Sequence, residues 1–141
     1  RVLTKSLPED VAQRCSGRVT IAVTRIKPAP RELVLATEFE SRQDLVEALI
    51  ASCFVPYYLE RSPSVGWREG LYIDGGIQDI LPPMESYTKV CPFRPSWVNL
   101  LEQGVEIGPH CLGPEFQVSM LRTLDQAIWP TDEAGMTGLF D

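Results

Sequence analysis

The residues of this chain with the clearest chemical potential are Asp74 and the two glycines that follow it, Gly75 and Gly76. The carboxylate stands between an apolar, strand-like run, Leu71 to Ile73, and a turn that the glycines make flexible. Such a turn lets a backbone come close to a substrate and aims the last strand side chain outward, where a carboxylate can act as a general base. Taken alone, the Asp-Gly-Gly sequence is more often an ordinary hairpin turn, so the surrounding residues must decide.

A second candidate for catalysis is His110, the only histidine of the chain. It follows Asp74 in the Ser, Asp, His order of α/β-hydrolase triads. The segment Gly108-Pro109-His110-Cys111 has the composition of a loop, however, so a solvent-exposed histidine is the simpler interpretation.

The four cysteines are widely spread, at Cys15, Cys53, Cys91 and Cys111. We expect free, buried thiols in a reducing compartment, because the density is far below that of disulfide-stapled domains. A zinc site made of Cys91, His110 and Cys111 is a weaker alternative, since structural zinc takes ligands paired at short spacing. We predict no metal and no cofactor.

The residues around Asp74 resemble the patatin-like phospholipase family. They include the run Ser41 to Tyr58, which ends in Ala-x-x-x-Ser-Cys-Phe-x-Pro-x-Tyr, the Asp-Gly-Gly loop and Leu81-Pro82. The resemblance extends from about Lys5 to Phe93. It is closest to the branch that contains adipose triglyceride lipase and adiponutrin.

The resemblance implies that Asp74 is the proton acceptor of a two-residue Ser-Asp dyad, with Gly75 and Gly76 supporting its loop. In the family the serine lies in Gly-x-Ser-x-Gly, and none of the nine serines here has glycines at those positions. The family's glycine-rich oxyanion segment is also absent. We therefore expect an α/β chain that forms the C-terminal half of a three-layer αβα patatin-like fold and lacks the nucleophile half.

The same resemblance implies a full-length parent that hydrolyses lipid acyl esters as a triacylglycerol lipase or phospholipase, and a segment that is inactive alone. The implied substrate is a lipid ester at a membrane or lipid-droplet surface, with protein co-regulators as further partners. The implied location is intracellular, cytoplasmic with peripheral membrane association. A non-catalytic patatin-like regulator remains the alternative. Relatives carry Asn where this chain has Ile80, which leaves the loop to be held by packing or weakens the enzyme.

Composition agrees with a globular domain and excludes some partners. The 141 residues are 44% hydrophobic and 23% charged, which suffices for one core. The formal net charge of −6 argues against nucleic acid and against tight docking on anionic lipid. No run approaches the ~20 apolar residues of a membrane span.

The elements that position Asp74 follow from periodicity. We predict a helix from a Ser6 capping box to Gly17, a hairpin of strands Val19–Thr24 and Leu33–Phe39, and a helix from its cap Ser41 to Pro56. The strand Leu71–Ile73 then leads into Asp74.

The remaining predictions concern the C-terminal region. We place a boundary between a patatin-like part, residues 1–96, and a helical extension, residues 97–141. Tyr87–Cys91 should form a short strand, and Glu115–Trp129 and Thr131–Phe140 should form helices. Pro92-Phe93-Arg94-Pro95 has the spacing of a Pro-x-x-Pro ligand, a short match that is mostly accidental.

Overall fold

The computed structural model describes residues 5–58, 60–84, 87–93 and 104–111, together with Ser119, Leu121, Asp125 and Trp129. The chain divides into two compact units, Arg1–Pro82 and Pro83–Asp141. The first unit contains the sheet, both helices of the core and the Asp-Gly-Gly loop. This arrangement confirms the predicted α/β class.

The first unit is built on a four-stranded antiparallel sheet. Its strands are β1 (Ile21–Lys27), β2 (Glu32–Ala36), β3 (Val65–Trp67) and β4 (Gly70–Asp74), in the spatial order β2-β1-β4-β3. The β1–β2 pair is the predicted hairpin, with strand ends one to three residues from the predicted bounds. Its register pairs Val23 with Val34, so the alternating apolar residues of β1 face the core.

The first helix of the sheet domain is shorter than its pattern predicted. Helix α1 covers Val11–Cys15, with Asp10 rather than Ser6 at its N-cap. The predicted capping box is therefore wrong: Ser6 is itself helical, and a turn at Glu9 and Asp10 separates it from α1. Gly17 ends the segment as predicted, with a positive φ of 69°.

Helix α2 covers Arg42–Ser52 and begins as the sequence predicts. The Ser41 hydroxyl accepts a hydrogen bond from the Asp44 N–H at 3.1 Å, and Asp44 Oδ2 accepts one from the Glu40 N–H, also at 3.1 Å. These two bonds satisfy backbone donors that a helix start otherwise leaves unpaired. The buried face of α2, formed by Leu45, Val46, Ala48 and Ala51, packs on the sheet.

The side chain of Asp44 also ties α2 to the β3–β4 hairpin. Its Oδ1 accepts hydrogen bonds from Trp67 Nε1 at 2.8 Å and Arg68 Nε at 3.1 Å, and its Oδ2 accepts one from Arg68 at 2.9 Å. The Arg68 guanidinium lies 4.4 Å from the ring centre of Trp67. Arg68 occupies the hairpin turn with a φ of 48°, a conformation that these contacts hold in place.

The core lies between the sheet and the two helices. Trp67 and Tyr72 meet edge to face with ring centres 5.1 Å apart, and they pack with Val23, Leu45 and Ala48. Because α2 contacts β1, β3 and β4, this core fixes the distance between the end of the helix and the end of β4.

The second unit has one isolated parallel bridge, between Val90 and Ile107, where a short strand was predicted for Tyr87–Cys91. The predicted helix Thr131–Phe140 and the Pro-x-x-Pro segment beyond Phe93 lie outside the described residues, as does most of Glu115–Trp129. No helix in the part of the chain that the structure describes is long and apolar enough to cross a membrane.

We expect Asp44→Ala to lower the free energy of unfolding of the full-length protein by about 2–3 kcal/mol, because it leaves the buried Trp67 indole N–H without an acceptor and removes charged hydrogen bonds. Thermal unfolding measures the change. Ser41→Ala, which removes only the cap, should cost about 1 kcal/mol. Equal losses in the two variants would contradict a separate role for the Trp67 and Arg68 contacts.

Asp44 should also make stability depend on pH. The hydrogen bonds from Arg68 lower the pKa of Asp44 below its ordinary value. The resulting stabilisation is therefore present above the unfolded-state pKa of about 3.9 and is lost as pH falls through the lower folded-state pKa. In melting temperatures measured from pH 6 to pH 2, Asp44→Asn should lose this part of the acid dependence. An unchanged acid limb would rule out the contribution.

Candidate functional site

Asp74 is the last residue of β4, as the sequence predicts, and its backbone is held on both sides. Its N–H donates to the carbonyl of Phe54 at 2.9 Å, just beyond the end of α2. Its carbonyl accepts from the Thr24 hydroxyl on β1 at 3.0 Å. The β1–β4 register places Val23 opposite Asp74. The end of α2 and the neighbouring strand therefore both fix the position of the Asp74 backbone.

Gly75 is buried and lies against β1. A Cβ on Gly75 would be 2.5 Å from the carbonyl oxygen of Ala22 and 3.0 Å from the Ala22 Cβ. These distances are too short for any side chain, since the Ala22 oxygen belongs to a sheet backbone that cannot move cheaply. Glycine is therefore required by close approach, which supports the loop role predicted for it.

Gly76 contacts the carboxylate itself. Residues Gly75–Ile77 form one turn of 3₁₀ helix, and the Gly76 N–H donates to Asp74 Oδ1 at 2.7 Å. Asp74 thus caps the turn that it starts, and this bond sets the direction of its side chain.

The surroundings make Asp74 a stronger base than an ordinary aspartate. Burial raises the pKa of Asp74, and the Gly76 N–H opposes this change by stabilising the charged form. A carboxylate that is half withdrawn from water and hydrogen-bonded through one oxygen is a suitable proton acceptor.

The rest of the loop is held by hydrogen bonds, not by the packing of Ile80. Ile80 is 41% exposed. The N–H groups of Gln78 and Asp79 both donate to the Gly75 carbonyl at 3.0 Å, and Asp79 Oδ1 accepts from the Leu81 N–H at 3.1 Å. Arg31 reaches from the β1–β2 turn to the Ile77 carbonyl at 3.3 Å. The loop around Ile80 therefore has a hydrogen-bond network that does not involve the Ile80 side chain.

Two segments connected to the Asp74 region carry exposed apolar side chains. They belong to the segment after Phe54 and to the loop after Gly76, and they are Val55, Tyr57, Tyr58, Ile77 and Ile80. The Phe54 carbonyl accepts a hydrogen bond from the Asp74 N–H, so the first segment starts beside the Asp74 backbone, and the second segment follows Gly76 directly. We call these five residues the apolar rim.

Two cavities of the first unit lie away from Asp74. One, of about 410 Å³, is lined by Val11, Cys15 and Val19 among others. The other, of about 570 Å³, lies at the start of β4 and is lined by Arg25, Arg68 and Tyr72 among others. Neither cavity is lined by Asp74, which is half-buried.

The other sequence candidates are found as follows. His110 lies in the second unit, exposed, in a short 3₁₀ turn, Pro109–Cys111, with its Nε2 atom 3.5 Å from the Cys111 sulfur. All four cysteines are free, but Cys53 and Cys111 are exposed, so the expectation of buried thiols is wrong for these two. In the ranges that the structure describes, no three His, Cys, Asp or Glu side chains come together as metal ligands.

Sequence reasoning missed the contribution of Thr24. A hydroxyl in a strand of otherwise apolar core residues was the available signal, but the partner, the Asp74 carbonyl, is 50 residues away along the chain.

Gly75→Ala should destabilise the protein by about 1–3 kcal/mol, because the new methyl group collides with the Ala22 carbonyl. Gly66→Ala on β3 is the matched control, since a Cβ there meets nothing within 4 Å and should change stability by less than about 0.5 kcal/mol. Thermal unfolding of both variants makes the comparison. Equal melting temperatures of Gly75→Ala and Gly66→Ala would show that Gly75 makes no such close contact with β1.

Comparison with known proteins finds relatives of this chain. The mouse 1-acylglycerol-3-phosphate O-acyltransferase Pnpla3 is 39% identical over 62% of this chain, and human patatin-like phospholipase domain-containing protein 2 is 30% identical over 92% of it. The human omega-hydroxyceramide transacylase is 39% identical over 57%. The chain spans only 21%, 26% and 14% of the length of these three relatives.

No solved structure matches the chain significantly. A family model, that of the patatin-like phospholipases, matches residues 1–86, a range that includes Asp74, Gly75 and Gly76. The chain therefore belongs to the patatin-like phospholipase family.

Proposed function

We propose that the full-length protein containing this chain is a lipid acyl hydrolase that acts through a Ser-Asp dyad, and that this chain supplies the aspartate, Asp74. The observation that carries the proposal is the placement of Asp74 at the end of β4, with its backbone anchored at both peptide groups and one carboxylate oxygen bonded to Gly76. Membership of a family with acyltransferase and phospholipase relatives supports the reaction class.

Asp74 would act as the base in both half-reactions. It accepts the proton of the serine hydroxyl while the serine oxygen attacks the ester carbonyl, and the proton then passes to the departing alcohol as the ester C–O bond breaks. Water next attacks the acyl-serine and gives its proton to Asp74, which passes that proton to the departing serine oxygen as the fatty acid is released. The serine and the oxyanion donors come from outside this chain.

The rigidity of the loop is what this chemistry needs. A serine–carboxylate pair works only when the two groups meet at about 2.6–3.2 Å. Three groups of Asp74 are each held by a hydrogen bond: its N–H by the Phe54 carbonyl, its carbonyl by the Thr24 hydroxyl and its Oδ1 by the Gly76 N–H. Little conformational entropy therefore remains to be lost when the substrate binds.

The apolar rim supports a lipid as the substrate. Exposed apolar groups on the two segments that adjoin the candidate base suit a molecule with an ester and long acyl chains. We further propose that the protein meets this substrate inside the cell at a membrane or lipid-droplet surface.

Acyl transfer to a lipid hydroxyl is a second candidate activity. Two of the relatives are an O-acyltransferase and a transacylase by name. The acyl-serine and the base are the same in both reactions, and only the acceptor differs, an alcohol instead of water. Release of free fatty acid, measured with and without a monoacylglycerol acceptor, separates the two.

Asp74→Asn should lower kcat/KM for ester hydrolysis by the full-length protein about 100- to 10,000-fold, because the amide cannot accept the serine proton. The folded state should be as stable as wild type or more so at neutral pH. Burial raises the folded-state pKa of Asp74, so its stabilisation is present below the unfolded pKa and is lost as pH rises through the folded pKa; the amide avoids this loss.

The pH profile gives an independent check. Activity should fall on the acid side with a midpoint above the ordinary aspartate value of about 3.9, because the base must be ionised and its pKa is raised. Asp79→Asn is the control and should keep most of the activity. Asp79 is a carboxylate of the same loop, and in the part of the chain that the structure describes it accepts a hydrogen bond from the Leu81 N–H. Similar activity in wild type and Asp74→Asn would refute the proposal.

His110→Gln should leave kcat/KM within about twofold of wild type, because an exposed histidine in a separate turn has no part in a Ser-Asp dyad. The same hydrolysis assay measures it. A loss of several hundredfold would instead establish a Ser-Asp-His triad.

A further inference from the structure

Thr24 has an unusual position for a hydroxyl. It is 0% exposed, and among the residues that the structure describes it is the one polar side chain that is fully buried. Its neighbours in the β1–β2 and β1–β4 pairs are Leu33 and Ile73, so its surroundings are apolar. A valine would fill this space without burying a polar atom.

The Thr24 hydroxyl has one hydrogen bond in the structure, to the Asp74 carbonyl at 3.0 Å. β4 ends at Asp74, so the sheet ladder no longer determines how the following peptide is turned. The Asp74 backbone has φ −48° and ψ 133°, values that direct its carbonyl toward β1 and the chain into the 3₁₀ turn. The hydroxyl therefore holds the first peptide after the strand.

That peptide determines where the carboxylate points. Its plane includes the Asp74 carbonyl at one end and the Gly75 N–H at the other. Rotation of the plane would move Gly75 against Ala22 and carry the Gly76 N–H away from Asp74 Oδ1, to which it is bonded at 2.7 Å. The orientation of the side chain thus depends on the hydroxyl of a different strand.

We propose that Thr24 is a positioning residue for Asp74: its hydroxyl fixes the Asp74–Gly75 peptide and so aims the Asp74 carboxylate at the position of the nucleophile. The inference rests on the proposed function, in which Asp74 is the base. Thr24 itself contacts no substrate.

The test compares Thr24→Val, which keeps the shape and removes the donor, with Thr24→Ser, which keeps the donor. In the full-length protein, Thr24→Val should lower kcat for ester hydrolysis about 10- to 100-fold and leave KM within about twofold, because the base is misplaced while substrate contacts remain. Thr24→Ser should recover kcat to within about threefold of wild type. A purely structural role would not lower kcat while leaving KM nearly unchanged.

Ser16→Ala is the matched control. The Ser16 hydroxyl also bonds to a backbone carbonyl, that of Phe39, in the same unit but away from the loop. This variant should lose stability without a change in kcat. Melting temperatures of all variants show whether a loss of activity follows a loss of folding.

A readout that does not use activity is the hydrogen exchange of the Gly76 amide. It should be faster in Thr24→Val than in wild type and unchanged in Thr24→Ser, because only valine frees the peptide that holds the Gly76 N–H in place. Wild-type kcat and wild-type Gly76 exchange in Thr24→Val would overturn the inference. So would a Thr24→Ser variant as impaired as Thr24→Val.

Asp74→Asn, assayed in parallel, separates this inference from the function on which it rests. An inactive Asp74→Asn with a fully active Thr24→Val overturns the role of Thr24 and leaves the dyad standing. An active Asp74→Asn overturns the dyad, and the positioning role of Thr24 falls with it.

Discussion

The close approach of Gly75 to the Ala22 carbonyl is the contact on which the arrangement at Asp74 depends. A Cβ added to Gly75 would be only 2.5 Å from that oxygen, so only glycine allows the chain to turn this close to β1 at the end of β4. The turn is what brings the Gly76 N–H back to the carboxylate and closes the 3₁₀ helix. The direction of the Asp74 carboxylate therefore follows from a steric requirement between two strands, whereas its raised pKa comes from burial.

That turn needs a firm base, which α2 provides. The Asp44 carboxylate holds the start of the helix to Trp67 and Arg68, while the Phe54 carbonyl just beyond its end receives the Asp74 N–H. Between these points the buried face of α2 packs on the sheet. The helix thus connects the hydrogen bonds of Asp44 at its start to the backbone of the candidate base beyond its end.

Much of this could be predicted from the sequence because the signals are local. The Ser41 cap, the β1–β2 hairpin and the place of Asp74 at a strand end each depend on residues within a few positions of one another. The capping box at Ser6 failed because the motif needs Ser6 outside the helix, whereas the structure places Ser6 in a helical turn that ends before α1.

What could not be predicted depends on contacts between distant residues. The bonds Thr24–Asp74 and Arg31–Ile77 join positions 50 and 46 residues apart, and no pattern in the chain marks these partners. The same applies to the loop around Ile80, where Asp79 and backbone groups supply the hydrogen bonds. Exposure of Cys53 also depends on tertiary packing and not on residue type.

The most direct test of the central claim is the labelling of the full-length protein with a fluorophosphonate, which reacts with a serine only when a base activates it. We predict that mass spectrometry finds the label on one serine within Gly-x-Ser-x-Gly, and that Asp74→Asn slows labelling at least about 100-fold. Labelling at the wild-type rate in that variant, or no serine labelled in the folded wild-type protein, would contradict the claim that Asp74 is the base of a catalytic dyad.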